Sequence, residues 1–460
     1  MLIFSITAYL LLNLLIGWWA SGRVKTTEDF VLAGRGLSFA FASMVTFATW
    51  FGSETMTGAP AEFVKGGFLN VIEEPFGAAL CLILVGMFYA RTFYRMNIIT
   101  FCDFFRIRFG RKAELISAIL IVPSYFGWIA AQLIAMGVVL EAVTGLPLTY
   151  GISISASIVM IYTIMGGMWS VSITDFLHNI LLIIGLVILG GILLVEVGGF
   201  QKMIDATPKG FFRIVPHQFT FHSSTAYLAA WITVGLGSIP QQDIFQRVMS
   251  SKSENVAVRS SIMAGFMYLT VAMIPLFIAL IAKQLHPELM HGDTKMIIPT
   301  MVLKHTNMWV QIMFFGAMIS AILSTTSGAI LAPAAVMGEN IMKFFKPDMT
   351  DAQTLKSIRI SIVLITICCI YMAIQRQDVY ELVSESSAFS LVSLFIPLTA
   401  GLKWKRATHT GCLASMLLGW GVWFGCYWID TETPAILYGL LAGAIGMVGG
   451  SLLPNQAYQA

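Results

Sequence analysis

Long apolar runs alternate with short polar segments along the whole chain. Each run is long enough for a membrane-spanning helix, and the polar segments between the runs are too short for a soluble domain. Thirteen runs can be counted, near residues 2–20, 38–60, 69–92, 113–143, 147–166, 170–196, 225–245, 258–283, 307–340, 357–376, 380–402, 408–429 and 434–453. The pattern therefore predicts an all-α polytopic membrane protein with a single transmembrane domain over residues 1–460.

Composition and charge add an orientation to this picture. Hydrophobic residues make up 57% of the chain and charged residues 11%, and the mean hydropathy is +0.81. Most of the 27 Lys and Arg residues lie in alternate loops, within residues 23–35, 91–112, 247–259, 343–359 and 403–406. The positive-inside rule places these loops in the cytosol, with the N-terminus outside the cell membrane and the C-terminus inside. The net charge of +3 thus reflects topology and does not indicate nucleic-acid binding.

The stretch "ATWFGSETMTGAP", residues 48–60, interrupts an apolar run with glycine, proline and polar side chains. In hydrocarbon every backbone N–H and C=O needs a partner, so an interrupted helix is tolerated only where it is buried in protein or lines a wet cavity. A single interruption is also compatible with a simple kink.

A second interruption, "TVGLGSIPQQD" at residues 233–243, makes a binding cavity the better interpretation. Paired Gly/Pro-interrupted segments in the two halves of a chain indicate an inverted-repeat transporter with its substrate near the membrane midplane. If the run at 38–60 is the first core helix, the run at 225–245 is the sixth, as two five-helix repeats require. A membrane sensor and a passive channel are the alternatives from other classes. An enzyme is not expected, because the seven histidines show no metal-ligand spacing.

The ninth run carries small and hydroxyl side chains in "GAMISAILSTTSGAIL", residues 316–331. Ala321 lies three residues before Ser324 and four before Thr325, so its carbonyl and the two hydroxyls share about one helical turn. Together with unwound backbone, these oxygens would form half of a cage for a hard monovalent cation. Alternatively, the hydroxyls bond back to their own helix, or the small residues allow close packing.

Asp175 is a carboxylate near the predicted cytosolic start of the sixth run. Such a group is costly inside a membrane and needs a partner. It is interpreted as a second cation ligand, a gate or an interfacial helix cap.

Several of these motifs resemble those of the sodium/solute symporter family, over nearly the whole chain. They are "KTTEDFVLAGRGL" after the first run, "GG" followed by "TD" before the sixth, "FQR" at 245–247 and "AILST" at 321–325. The resemblance implies thirteen helices, broken first and sixth core helices, and sodium-driven uptake by alternating access. It divides the chain into a first helix and cytosolic loop (1–37), a five-plus-five inverted-repeat core (38–402) and two C-terminal helices (403–460).

The resemblance also implies the sodium ligands. These are the backbone carbonyls of Ala48, Phe51 and Ala321 and the hydroxyls of Ser324 and Thr325. Family members with a second sodium use an aspartate that matches Asp175 and further serines on the ninth helix. Ser327 matches one of those serines, whereas Gly328 replaces another, so a second sodium site is in question.

"ATWFG" and "IPQQDIFQRVMSS" are most similar to the choline-transporter branch of this family. A quaternary ammonium donates no hydrogen bonds, so aromatic faces recognise it, helped by nearby carboxylates. Trp50 and Trp128 are the predicted walls, and Tyr125 is a further candidate. Each tryptophan has an alternative role in packing or as an interfacial anchor.

The chain departs from that branch at Gln241, where the branch has a tryptophan. It also carries Glu54 in the first interruption, and Glu73 and Glu74 in "NVIEEPFG". Carboxylates suit a substrate with positive charge, or they could donate as protonated acids to a polar substrate. Glu73 and Glu74 could instead cap their helix. We therefore expect a sodium-coupled symporter for choline, a betaine or another amine, with a sodium/proline-like or other amino-acid symporter as the alternative.

Overall fold

The structure, a computed structural model, describes residues 2–22, 24–429 and 431–453. Those residues are almost entirely helical, and short 3-10 and π-helical turns join several of the helices. The α-helices are α1 (Leu2–Ser21), α2 (Thr27–Leu32), α3 (Phe39–Ala48), α4 (Ala59–Gly66), α5 (Ala78–Leu84), α6 (Ala90–Met96), α7 (Phe101–Phe109), α8 (Arg111–Ser124), α9 (Phe126–Thr144), α10 (Leu148–Glu196), α11 (Phe200–Asp205), α12 (Phe221–Gly237), α13 (Gln242–Ser250), α14 (Glu254–Val271), α15 (Met273–Leu285), α16 (Ile297–His305), α17 (Met308–Val336), α18 (Lys343–Phe345), α19 (Asp351–Gln375), α20 (Val379–Ser390), α21 (Ile396–Lys403), α22 (His409–Tyr427) and α23 (Ala435–Leu452).

The prediction of an all-α membrane protein is confirmed. Within the described part of the chain, 9 helical segments are long and apolar enough to cross a membrane. They are Glu54–Met96, Arg111–Thr144, Leu148–Met165, Gly167–Glu196, Glu254–Leu285, Met308–Phe345, Asp351–Gln375, Val379–Lys403 and Ala435–Leu452. The count of thirteen membrane spans stays a prediction, as does the division of the chain at residues 37 and 402.

The predicted runs at 113–143, 147–166 and 170–196 correspond to the spans Arg111–Thr144, Leu148–Met165 and Gly167–Glu196. Tyr125 separates α8 from α9 within the first span, and a kink at Gly167 separates the other two spans within α10. Gly167 has φ 52° and ψ −145°, and a Cβ there would lie 2.6 Å from the carbonyl oxygen of Phe30. Only glycine fits this conformation and this close approach.

Helix α17 is the centre of the fold. Its residues are buried from Phe314 to Val336, and it packs against α1, α9, α10 and α19. A helix without an exposed face must satisfy its polar side chains within the protein. The hydroxyl side chains of α17 must therefore find hydrogen-bond partners on neighbouring segments of the protein.

Candidate functional site

The first interruption follows α3, before the π-helical turn that leads into α4. Here the N–H of Gly52 donates to the carbonyl of Trp50 (2.8 Å) instead of to a residue one helical turn earlier. The N–H of Ser53 donates to Oε1 of Gln132 on α9 (3.0 Å), and the hydroxyl of Tyr268 on α14 donates to the Trp50 carbonyl (3.0 Å). Neighbouring helices thus supply the partners that the interruption removes, as a membrane interior requires.

The second interruption lies between α12 and α13. The carbonyl of Gly237, the last residue of α12, accepts a hydrogen bond from the hydroxyl of Ser390 on α20 (2.6 Å). A Cβ at Gly237 would lie 2.3 Å from the carbonyl oxygen of Ser387, so only glycine allows this close approach. Both interruptions predicted from the sequence are therefore present, and α20 packs directly against the second.

The two interruptions meet at a small buried cavity of about 20 Å³. It is lined by Trp50, Glu54, Glu74, Trp128, Val234, Ser238, Gln241, Val383, Ser386 and Ser387. All five side chains predicted to contact substrate are in this lining. A volume of this size holds about one water molecule. An organic solute therefore needs the cavity to widen, which agrees with a site that opens and closes.

Helix α9 contributes a cavity wall and also supports the first interruption. Trp128, which is 5% exposed, lies one turn before Gln132. The backbone N–H of Trp128 donates to the hydroxyl of Ser386 on α20 (2.9 Å). Helices α9 and α20 are thereby joined at the cavity.

Asp243 fixes the aromatic side of the site and was not identified from the sequence. Trp50 Nε1 donates to one carboxylate oxygen of Asp243 (3.1 Å), and the hydroxyl of Tyr125 donates to the other (2.5 Å). Tyr125, the further aromatic candidate, is therefore a support for the cavity and not part of its lining. The sequence feature that could have identified Asp243 is its position directly after the second interruption, because a carboxylate within a membrane segment needs a partner.

Two carboxylates form the acidic side of the cavity. Glu74 accepts a hydrogen bond from the hydroxyl of Thr55 (2.6 Å), and it shares the single hydroxyl hydrogen of Tyr268 with the Trp50 carbonyl. Glu54 is 5% exposed, and its Oε1 has no hydrogen-bond partner within the described part of the chain. Glu73, also considered in the sequence, is not in the lining. No Lys, Arg or His is among the described residues that line the cavity, so its net character is acidic.

A larger acidic cavity, of about 390 Å³, lies near the start of α20. It is lined by Glu62, Asp378, Tyr380, Glu381, Ser384 and Glu385, and we call it the acidic vestibule. Arg376 beside it forms ion pairs with Glu381 (3.2 Å) and Glu385 (2.6 Å). The hydrogen bond to Glu385 raises the pKa of the Arg376 guanidinium. Because α20 also carries Ser386 and Ser387, the vestibule and the cavity occupy successive turns of one helix.

The predicted sodium ligands come together only in part. The hydroxyl of Thr325 on α17 donates to the carbonyl of Ala48 at the first interruption (3.0 Å). Ser324 faces α10 instead, where its hydroxyl donates to the carbonyl of Val171 (3.2 Å) and lies 3.0 Å from the hydroxyl of Thr174. Consecutive helical residues point about 100° apart, so the two hydroxyls diverge. Phe51 lies in the same interruption as Ala48, and Ala321 lies one turn before Thr325.

A buried arginine, Arg247, lies at the possible second sodium site. Ser327 accepts a hydrogen bond from the hydroxyl of Thr163 (2.8 Å), and Asp175 is fully buried. Arg247 is also buried (1% exposed), and neither carboxylate oxygen of Asp175 has a hydrogen-bond partner within the described residues. A Cβ at Gly328 would lie 2.7 Å from Nη2 of Arg247, so the guanidinium covers the position where a serine side chain would be.

Comparison with known proteins places this arrangement among transporters. Residues 30–419 match the profile of the sodium:solute symporter family. The high-affinity choline transporter 1 of Caenorhabditis elegans is 26% identical over 447 residues, which cover 91% of this chain and 76% of the relative. The human high affinity choline transporter 1 is 27% identical (90% and 75% covered). The sodium/proline symporter of Escherichia coli is 26% identical (98% and 93% covered).

Solved structures support the fold. A Na+-coupled sialic acid symporter in a substrate-bound outward-open state superposes with a TM-score of 0.86, at 19% identity and with 99% and 98% of the two chains covered. The nucleobase-cation-symport-1 family transporter Mhp1, in a closed conformation, gives a TM-score of 0.60, at 17% identity and with 91% and 93% covered. The profile match extends over most of the chain, and this chain therefore belongs to the sodium:solute symporter family and is a membrane transporter, not an enzyme.

Proposed function

We propose that this protein imports a small organic cation, choline or a related amine, together with sodium. One buried cavity supports this proposal, because its lining contains two tryptophans, two carboxylates and, among the described residues, no basic side chain. Tryptophan faces attract cations, and carboxylates add to that attraction. The choline transporters among the relatives agree with this substrate class.

The same cavity disfavours a sodium/proline-like activity. The carboxylate of a zwitterionic amino acid would enter a lining that already contains Glu54 and Glu74 and has no positive partner among its described residues. Close like charges raise the free energy of binding strongly in a low-dielectric site.

Sodium coupling is proposed to act through the contact between α17 and the first interruption. The hydroxyl of Thr325 and the carbonyl of Ala48 are both oxygen ligands suited to a hard cation, and they already lie 3.0 Å apart. Sodium held by both would tie α17 to the backbone two residues before Trp50. Because linkage is reciprocal, sodium and substrate would each strengthen the binding of the other by the same factor.

One sodium ion per transport cycle is proposed. Arg247 supplies a permanent positive charge near Asp175 and covers the position of the serine that Gly328 replaces. A second sodium at Asp175 and Ser327 would have to bind beside this guanidinium. In this proposal the positive charge of the buried arginine replaces the charge of a second sodium ion.

The proposed orientation follows the positive-inside rule, with the N-terminus outside the cell membrane. The acidic vestibule, at the loop between α19 and α20, is then on the outer side. A cation would pass through it to reach the cavity one turn further along α20. Opening of the cavity toward the vestibule, and afterwards toward the cytosol, constitutes alternating access.

Thr325→Ala tests the sodium ligand. We expect the sodium affinity to fall about tenfold or more, because a contact to a charged group of about 1.5–3 kcal/mol is lost. The measurement is the sodium concentration that half-saturates substrate binding to the purified protein.

Thr326→Ala is the matched control, since the Thr326 hydroxyl bonds back to the Ile322 carbonyl (2.5 Å) of its own helix. We expect it to leave the sodium affinity unchanged. Equal sodium dependence in Thr325→Ala and the unmodified protein would refute the assignment.

Trp50→Leu tests the aromatic wall. A cation–π contact in a desolvated site contributes about 2 kcal/mol, so we expect choline affinity to fall roughly thirtyfold while the thermal stabilisation by sodium persists. Calorimetric titration measures the affinity. Trp309→Leu is the control, because Trp309 is 73% exposed. Unchanged affinity in Trp50→Leu would assign this tryptophan to packing alone.

The proposed sodium stoichiometry predicts a Hill coefficient of about one for sodium-dependent binding. Gly328→Ser is expected to lower the melting temperature without raising that coefficient, because overpacking in a core costs about 1–3 kcal/mol. Gly421→Ser, whose added side chain meets open space, is the control. A coefficient of about two in the unmodified protein would contradict the proposal.

A further inference from the structure

Of the two carboxylates that line the cavity, Glu54 is the one with a buried oxygen that lacks a hydrogen-bond partner among the described residues. Asp243 accepts from Trp50 and Tyr125, and Glu74 accepts from Thr55 and Tyr268. Glu54 Oε1 is buried, belongs to a residue that lines the cavity, and has no hydrogen-bond partner within the described residues.

A buried acceptor of this kind needs a donor when the site closes around its ligand. Leaving a charged group unpaired in a closed site costs its full desolvation penalty, and this penalty exceeds that of a neutral group. The choice of ligand therefore depends on which chemical groups can donate to Glu54. A quaternary ammonium has only C–H groups around its charge, so it would leave Oε1 without a strong hydrogen bond.

The remaining walls do not form a complete aromatic box. Trp50 and Trp128 are the only aromatic residues among the described lining residues, and Gln241 contributes a polar amide. Nε2 of Gln241 reaches the hydroxyl of Ser390 only at 3.4 Å. The site thus combines fewer aromatic faces with more hydrogen-bonding groups than a cage for a methylated cation requires.

We infer that the transported cation carries at least one N–H donor on its charged nitrogen, and that the cavity prefers such an ammonium to a quaternary one. In the closed site the N–H donates to Glu54 Oε1 while the rest of the cation packs against the two tryptophans. Glu54 is then a specificity-determining residue. This inference rests on the proposed function, since it assumes that the cavity binds an organic cation.

The test is a series of ligands that differ only in methylation of the nitrogen. Choline, N,N-dimethylethanolamine, N-methylethanolamine and ethanolamine are titrated into the purified full-length protein in sodium buffer. We expect N,N-dimethylethanolamine, which gains one N–H and loses one methyl group, to bind about tenfold more tightly than choline. In Glu54→Gln this ratio is expected to fall, because the amide oxygen still accepts a hydrogen bond but no longer carries a charge.

Glu288→Gln serves as the matched control, because Glu288 is exposed and pairs with Lys304 at the surface. It is expected to keep the preference of the unmodified protein. The ligand series needs no variant, so the inference can be tested even if Glu54→Gln does not fold.

The outcomes separate this inference from the proposed function. Choline binding as tightly as N,N-dimethylethanolamine, or more tightly, overturns the N–H inference and leaves organic-cation transport intact. A Glu54→Gln protein that folds and keeps the full preference overturns the role of Glu54. No binding of any of the four cations, with binding of proline or a sugar instead, overturns the proposed function and the inference together.

Discussion

The structure depends on the need to satisfy the backbone of two interrupted helices inside a membrane. Water is absent from hydrocarbon, so each freed N–H or C=O must find a partner in the protein. Here those partners are side chains of other helices, namely Gln132, Ser390, Tyr268 and Thr325. Each bond fixes a helix against an interruption, and together they define the cavity. The groups that stabilise the broken backbone are therefore also the groups that shape the site.

This constraint links substrate recognition to ion coupling. Thr325 holds the backbone of Ala48, and Trp50, two residues later, is held in turn by Asp243 on α13. A change at the α17 contact is thus transmitted over a short, fully buried path to an aromatic wall. A specific hydrogen bond lies at each end of this path. Such defined contacts are what a coupling between sodium binding and solute binding requires.

Much of the architecture could be predicted from the sequence because membrane burial leaves a strong pattern. Apolar runs indicated the helices, and Gly/Pro interruptions indicated where Trp50, Glu54 and Gln241 converge. Contacts between distant side chains could not be predicted, because nothing in the sequence around Asp243 or Arg247 shows which side chain each of them meets. Which backbone carbonyl Ser324 and Thr325 each meet depends on which helices pack on α17.

We propose that the cavity between the interruptions binds an organic cation whose uptake is driven by sodium. Accumulation of radiolabelled choline or N,N-dimethylethanolamine in proteoliposomes, measured with and without an inward sodium gradient, tests this most directly. We expect accumulation above the external concentration that requires sodium and is not supported by potassium. Equal uptake in the two salts, or accumulation of proline with none of either cation, would contradict it.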